Sequence, residues 1–249
     1  MQPISLPRTV SRQMSIRRGE VHLDAMLVIA LESHIDSVNE VAAELLGPLE
    51  ATYFSSLRFE RRQRSYLLGR YVAKLALRDA LSEPDFKSIE IVKGVFEQPI
   101  VRCEGSAGWG VTISHAESLA VALAYPAGHP MGVDIELINQ SNRQTILSQL
   151  SPEEIKWAEN AVTEEDKVVV ALWTAKEALS KALTTGLMSP IQIYNLTEFY
   201  RIDSGIWEGL FQNFTQYKAR VWTGSSCALS IAMPKRSVFS DDVDLCAAL

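Results

Sequence analysis

The octapeptide MGVDIELI, residues 131–138, limits the fold more than any other stretch of this chain. Strand side chains alternate between faces. A strand therefore puts Val133, Ile135 and Leu137 on one face, and Asp134 and Glu136 together on the other. The apolar face needs a core to cover it. Two like charges side by side repel, and burying them unpaired is costly. Something positive is expected opposite them. The strand alone leaves open whether a side chain, a metal ion or only water fills that role.

The stretch LWTAKEALSKAL, residues 172–183, reads as a helix that places Trp173, Glu177 and Lys181 along one face at i, i+4 and i+8. Lys176 lies about 100° around from Glu177, so the two flank one groove. Taken alone, Glu177 and Lys181 form an ordinary exposed helix pair worth roughly 0.2–0.5 kcal/mol. Set beside the strand, they say more. Asp134, Glu136 and Glu177 offer three hard carboxylates, which suit Mg²⁺, an ion that keeps several waters and bridges substrate phosphates. Lys176 and Lys181 beside such a site would neutralise phosphate oxygens. The constellation describes phosphate transfer better than a salt-bridged surface.

Upstream, residues 58–78 carry seven basic residues (Arg58, Arg61, Arg62, Arg64, Arg70, Lys74 and Arg78) against Glu60 alone, in a chain of formal charge -6. The segment reads as a helix whose Gly69 costs up to ~1 kcal/mol. Its charge fits either an anionic partner or a solvated basic face. Ser114 and His115 read as the turn of a hairpin between strands 111–113 and 119–125. Neighbours in sequence point different ways and no partner acid is evident, so a serine nucleophile is disfavoured and phosphate-binding donors are favoured. GSAGWG, residues 105–110, lacks the Lys-Ser/Thr ending of a phosphate loop, and no dinucleotide fingerprint is present.

The pI of about 5.3 argues against broad nucleic-acid binding. The run Ala25 to Leu31 is too short to span a bilayer, so no membrane partner is expected. Three widely spaced cysteines, Cys103, Cys227 and Cys246, suggest neither zinc nor a disulfide framework, and a reduced, cytoplasmic protein is the simplest reading. Residues 1–18 hold four arginines and no acid, which fits a loose basic terminus better than a transit peptide.

The pattern of elements predicts an α+β chain of 249 residues in two comparable halves, 1–126 and 127–249, joined through AYPAGHP. In the first half, residues 21–31 read as a strand, and Ser37 onward as a helix ending at Gly47-Pro48. SIEIVKG and QPIVR follow as short strands. In the second, SPEE, residues 151–154, carries a capping box, and a longer helix runs from near Thr163 to Gly186. IQIYNL and YKARVWTG through CALSIAMP read as closing strands.

GVDIE (132–136), WTAKEALSK (173–181) and GLMSP (186–190), with QPIV and VTISHAESLAVALAYP (98–126) and RSYLLGRYVAKLAL (64–77) before them, resemble the 4′-phosphopantetheinyl transferases, in the branch with two pseudo-symmetric halves in one chain. The resemblance spans roughly residues 58–190. It implies an active site in the cleft between the halves, a monomer, and transfer of 4′-phosphopantetheine from coenzyme A to a serine of an acyl, peptidyl or aryl carrier protein, with 3′,5′-ADP released. It assigns Asp134, Glu136 and Glu177 to Mg²⁺, Lys181 to the transferred phosphate, His115 to a coenzyme A phosphate, and Arg70 and Lys74 to the nucleotide end. Glu177 or a metal-bound water would accept the serine proton. Where the family often has Lys before the proline preceding the Ser-His strand, this chain has Gln98, which shifts that contact toward Lys93 or Arg102. Two rival readings differ in class: a non-catalytic protein that binds the carrier or coenzyme A, and a metal-dependent phosphohydrolase.

Overall fold

The structure is a computed structural model that describes residues 8–31, 38–83, 85–104, 106–117, 119–240 and 243–246. The chain divides into one unit of Met1–Ile16 and His22–Gly128, and a second of Arg17–Val21 and His129–Leu249. Strands β1 (Thr9–Arg18) and β2 (Val21–Leu31) open the chain. Helices α1 (Val38–Leu45), α2 (Pro48–Ser56) and α3 (Glu60–Leu81) follow, then hairpins β3 (Glu90–Lys93) with β4 (Pro99–Arg102) and β5 (Trp109–Ala116) with β6 (Leu119–Pro126). The second unit has strand β7 (Gly132–Leu137), helices α4 (Gln140–Leu147), α5 (Pro152–Asn160) and α6 (Glu165–Ala182), and hairpins β8 (Leu196–Asp203) with β9 (Ile206–Phe211) and β10 (Tyr217–Thr223) with β11 (Cys227–Pro234). Strand, three helices and two hairpins thus occur twice, as α+β halves. The strands of the first unit lie in the order β1-β2-β6-β5, those of the second in the order β7-β11-β10-β9-β8.

Each unit buries one long helix on its sheet. In the first, α3 packs on β5 and β6 through Leu67, Leu68, Val72, Ala76 and Leu77. In the second, α6 lies on β7, β10 and β11 through Val168, Leu172, Ala175, Ala178, Leu179 and Ala182. The alanines let the helix sit close. A Cβ built on Gly132 would come 2.0 Å from the Ala178 carbonyl oxygen and 2.5 Å from the Ala182 nitrogen. Backbone on both sides cannot yield cheaply, so Gly132→Ala is expected to destabilise the protein by about 3 kcal/mol in urea denaturation.

Several expectations need correcting. Residues 9–18 are not a loose terminus: they form β1, with Met14 and Ile16 fully buried. Residues 1–7, the expected helix start at Ser37, and Gly105 of GSAGWG lie outside the described residues. The helix before Gly47-Pro48 ends there as read, α1 closing at Leu45, but the same dipeptide also starts α2, with Pro48 at its first position and the Glu50 side chain accepting the Gly47 N–H. IQIYNL is not a strand. Ile191–Tyr194 forms a 3-10 turn, held by the Tyr194 hydroxyl on Thr185, and β8 begins only at Leu196. The SPEE helix start is present as read: Ser151 Oγ accepts from the Glu154 N–H and Glu154 accepts from the Ser151 N–H.

Candidate functional site

In the second unit, β7 pairs with β11 so that Asp134 stands opposite Ser230 and Glu136 opposite Ala228. Ser230 shares a 2.6 Å hydrogen bond with Thr174 of α6, so this face of the sheet is the one the helix covers. The alternation of β7 holds: Val133 and Ile135 are buried on one face while Asp134, 2 % exposed, turns toward α6. Lys181 donates to Asp134 Oδ1 at 2.7 Å. Glu177, one helical turn earlier, hydrogen-bonds Asp134 and also feels the charge of Glu136 and Lys181. Glu136 accepts from Asn142 Nδ2 at 3.2 Å. The positive partner that the strand demands is therefore a side chain, Lys181, which bonds Asp134 and also acts on Glu177.

The remaining negative charge shows in Glu177. Burial first, then Asp134, push its carboxyl up from 4.5 to about 8, against the pull of Lys181. Two touching carboxylates at neutral pH are held by a proton between them. Among the described residues, no three such side chains are already drawn around a common point as a finished metal cage. The donor chemistry nonetheless fits a hard divalent ion. Asp134, Glu136 and Glu177 supply only oxygens, and the raised Glu177 marks a cluster short of positive charge. Ionising Glu177 costs the fold stability progressively from about pH 4.5, where the carboxyl of the unfolded chain titrates, up to about pH 8. A bound cation displaces the proton and returns that stability. The rise in unfolding temperature on adding Mg²⁺ is expected to be larger at about pH 9 than at about pH 6. An equal rise at both would place the ion elsewhere.

Lys176 does not flank this cluster. Its side chain is fully buried and paired with Glu154 at 2.6 Å, and it donates to Asn195 Oδ1 at 2.8 Å and the Gln149 carbonyl at 3.1 Å. Burial lowers its pKa against the pull of Glu154. It ties α6 to α5 and β8, and leaves no donor for a phosphate.

In the first unit the basic segment resolves into separate fates. Lys74 is fully buried on Glu50, at 2.5 Å, and on the carbonyls of Leu45 and Phe86, so it too is withdrawn from any phosphate. Arg64 pairs with Glu60, and Arg78 lies beside Asp79 and over the Phe86 ring. Arg70 sits with its Nε 3.2 Å from Glu50 Oε1 and its guanidinium over the Tyr66 ring, 4.5 Å from the centroid. Arg58, Arg61 and Arg62 are exposed, and none pairs with a carboxylate among the described residues. Ser114 and His115 belong to strand β5 rather than to a turn. Alternation therefore sends them to opposite faces: Ser114 is buried, and His115 reaches α3. Gly69 clears the way, because a Cβ there would meet His115 Nε2 at 2.3 Å. The glycine that weakens the helix makes room for the imidazole.

His115 closes one end of a groove of about 450 Å³ lined also by Tyr53, Arg58, Phe59, Arg62 and Tyr66. Three aromatic rings with three potential cations suit a planar, anionic ligand. Arg58 and Arg62 were read in the sequence only as part of the basic segment, and Tyr53 and Phe59 went unread, although aromatic residues interleaved with arginine over 53–66 were the signal. Gln98 takes no part in it. Its Oε1 accepts the Phe96 N–H at 2.8 Å and closes the β3–β4 turn, while Lys93 pairs with Glu97 and lies over Tyr53. A hollow of about 550 Å³ in the second unit, lined by Trp157, Phe199, Arg201 and Trp207, holds none of the predicted site residues. Cys103, Cys227 and Cys246 form no disulfide, and among the described residues no helix is long and apolar enough to cross a membrane.

Residues 130–231 match the family model of the 4′-phosphopantetheinyl transferase superfamily. Among solved structures, a holo-(acyl-carrier-protein) synthase from Bacillus anthracis str. Ames in complex with CoA (3′,5′-ADP) is similar at 21% identity, covering 46% of this chain and 96% of that one, with a TM-score of 0.38. The holo-[acyl-carrier-protein] synthase of Thermotoga maritima is similar at 19% identity, covering 49% of this chain and 69% of that one, with a TM-score of 0.35. Holo-ACP-synthase from Plasmodium yoelii gives 18%, 47%, 96% and 0.34 for the same measures. No curated protein matches the chain.

Proposed function

We propose that this chain, whose residues 130–231 match the 4′-phosphopantetheinyl transferase superfamily, is a member of it and transfers 4′-phosphopantetheine from coenzyme A to a serine of an acyl or peptidyl carrier protein in a Mg²⁺-dependent reaction. The observation that carries this reading is the carboxylate cluster inside the matched segment, where Asp134 hydrogen-bonds Glu177 and accepts from Lys181. A salt-bridged surface has no use for a third, uncompensated acid.

Asp134, Glu136 and Glu177 would hold Mg²⁺, which supplies charge stabilisation to the pyrophosphate of coenzyme A. Lys181, partly exposed beside Asp134, would meet the phosphate being transferred. The carrier serine Oγ attacks the β-phosphorus, the bond to the departing 3′,5′-ADP breaks, and the serine proton goes to a base. Glu177 is that base in this reading, because a cation held by the cluster would leave it an ionised carboxylate able to accept a proton. Arg70 and His115 are assigned to coenzyme A phosphates at the nucleotide end, and Arg58 and Arg62, which line the groove with His115, join them. Lys74, Lys176 and Ser114 are left out because the structure buries them elsewhere. The protein is read as cytoplasmic and monomeric.

Intact-mass spectrometry tests this directly. An apo carrier protein incubated with the chain, Mg²⁺ and coenzyme A is expected to gain one phosphopantetheine, with the gain lost on adding EDTA or in Glu177→Ala. Coenzyme A binding without any gain across acyl and peptidyl carriers would leave a binding protein instead.

A further inference from the structure

The two units build the same buried polar joint, and comparing the copies isolates one residue. In the second unit, Glu154 at the third position of α5 accepts from the Ser151 N–H and the Leu196 N–H and pairs with Lys176. In the first, Glu50 at the third position of α2 accepts from the Gly47 N–H at 3.2 Å and the Ile91 N–H at 3.1 Å and pairs with Lys74. Each lysine then reaches the end of the preceding helical segment: Lys74 the Leu45 carbonyl, Lys176 the Gln149 carbonyl. Each has a further oxygen beside the next strand hairpin, the Phe86 carbonyl or Asn195 Oδ1. One carboxylate and one ammonium thus complete the joint.

The first unit adds a cation that the joint does not need. One turn before Lys176 stands Leu172, fully buried in the core; one turn before Lys74 stands Arg70, facing the same carboxylate. Glu50 there serves two positive charges, with Glu90 adding its own charge near Lys74. A nearly buried guanidinium that shares its counter-charge gains from an anion at its outer face. Arg70 Nε is within ion-pair distance of Glu50 but makes no aligned hydrogen bond, and its guanidinium covers Tyr66, a wall of the basic groove.

We infer that Glu50 is a positioning residue for substrate: it fixes Arg70 over Tyr66 so that the guanidinium presents its outer donors to the phosphate-bearing end of coenzyme A. This rests on the transferase reading above. Lys74 serves the fold and Arg70 serves the ligand, and one carboxylate holds both.

A double-mutant cycle tests it. Arg70→Met and Glu50→Gln are each expected to raise the KM for coenzyme A about tenfold, more than they lower kcat, as befits one charged hydrogen bond. In the Arg70→Met background, Glu50→Gln is expected to add nothing to KM, although it still lowers the urea midpoint because Lys74 is stranded. If Glu50→Gln alone fails to fold, Glu50→Gln with Lys74→Met removes both buried charges, and the same comparison is made with and without Arg70→Met. Equal, multiplicative KM increases in both backgrounds would overturn the proposal, as would an unchanged KM in Arg70→Met. Failure of the wild-type chain to modify any carrier would overturn the transferase reading and the proposal with it, an outcome distinct from active enzyme with an uncoupled Glu50.

Discussion

Asp134→Ala is expected to lower carrier modification by about a thousandfold while leaving the protein folded. Asp134 touches two members of the cluster: it accepts from Lys181 and hydrogen-bonds Glu177. Under the proposed function, removing it would take away one of the oxygens assigned to the cation and the partner of Lys181. The stability account is nearly even. Lys181 loses its partner but is partly exposed, so water replaces the contact. Glu177 loses one of the neighbours that raise its pKa, while its burial, the larger cause, stays. Net stability should move by no more than about 1 kcal/mol. Intact mass gives the activity, and a urea transition read by near-ultraviolet circular dichroism gives the fold. Retention of a tenth of the activity would remove Asp134 from the site.

Lys176→Met is expected to have the opposite profile, costing about 3–5 kcal/mol of stability by leaving Glu154 charged and buried. Methionine fills the space of the lysine stem, so the loss is electrostatic and not a cavity. Adding Glu154→Gln to Lys176→Met should recover most of the stability, since a buried pair replaced as a pair is often neutral. Transfer should recover with it. A double variant that is stable but inactive would show that Lys176 touches substrate after all, against its complete burial.

The parts of the fold that were legible in the sequence are those where a local signal agrees with tertiary packing. Residues 21–31 read as a strand and are β2, to the residue. The SPEE capping box starts α5, and the alternation of MGVDIELI puts both acids on the helix-covered side. GPLE carries the same signal as SPEE, with glycine in place of serine, and was read as a stop because Gly-Pro also ends helices. IQIYNL has the composition of a strand, but Tyr194 and Asn195 are claimed by Thr185 and Lys176, which tertiary contact alone decides. The site divides likewise. Spacing brought Glu177 and Lys181 onto one face, and the structure sets that face against Asp134. Spacing could not tell which lysines are solvated. Lys74 and Lys176 look in sequence like any others, and only Glu50 and Glu154, far away along the chain, make them internal.

Glu154 joins the Ser151 amide, the Leu196 amide and Lys176 of α6 through its two oxygens. Three segments that are remote in sequence therefore end on one carboxylate, and none of them can detach without exposing a charge that the others share. Fraying of α5 and peeling of β8 cease to be separate events. The amides of Ser151 and Leu196 should exchange hydrogen with solvent at one common rate, that of the whole second unit opening. In Glu154→Gln they should fall out of step, with Leu196 at the start of the edge strand exchanging first.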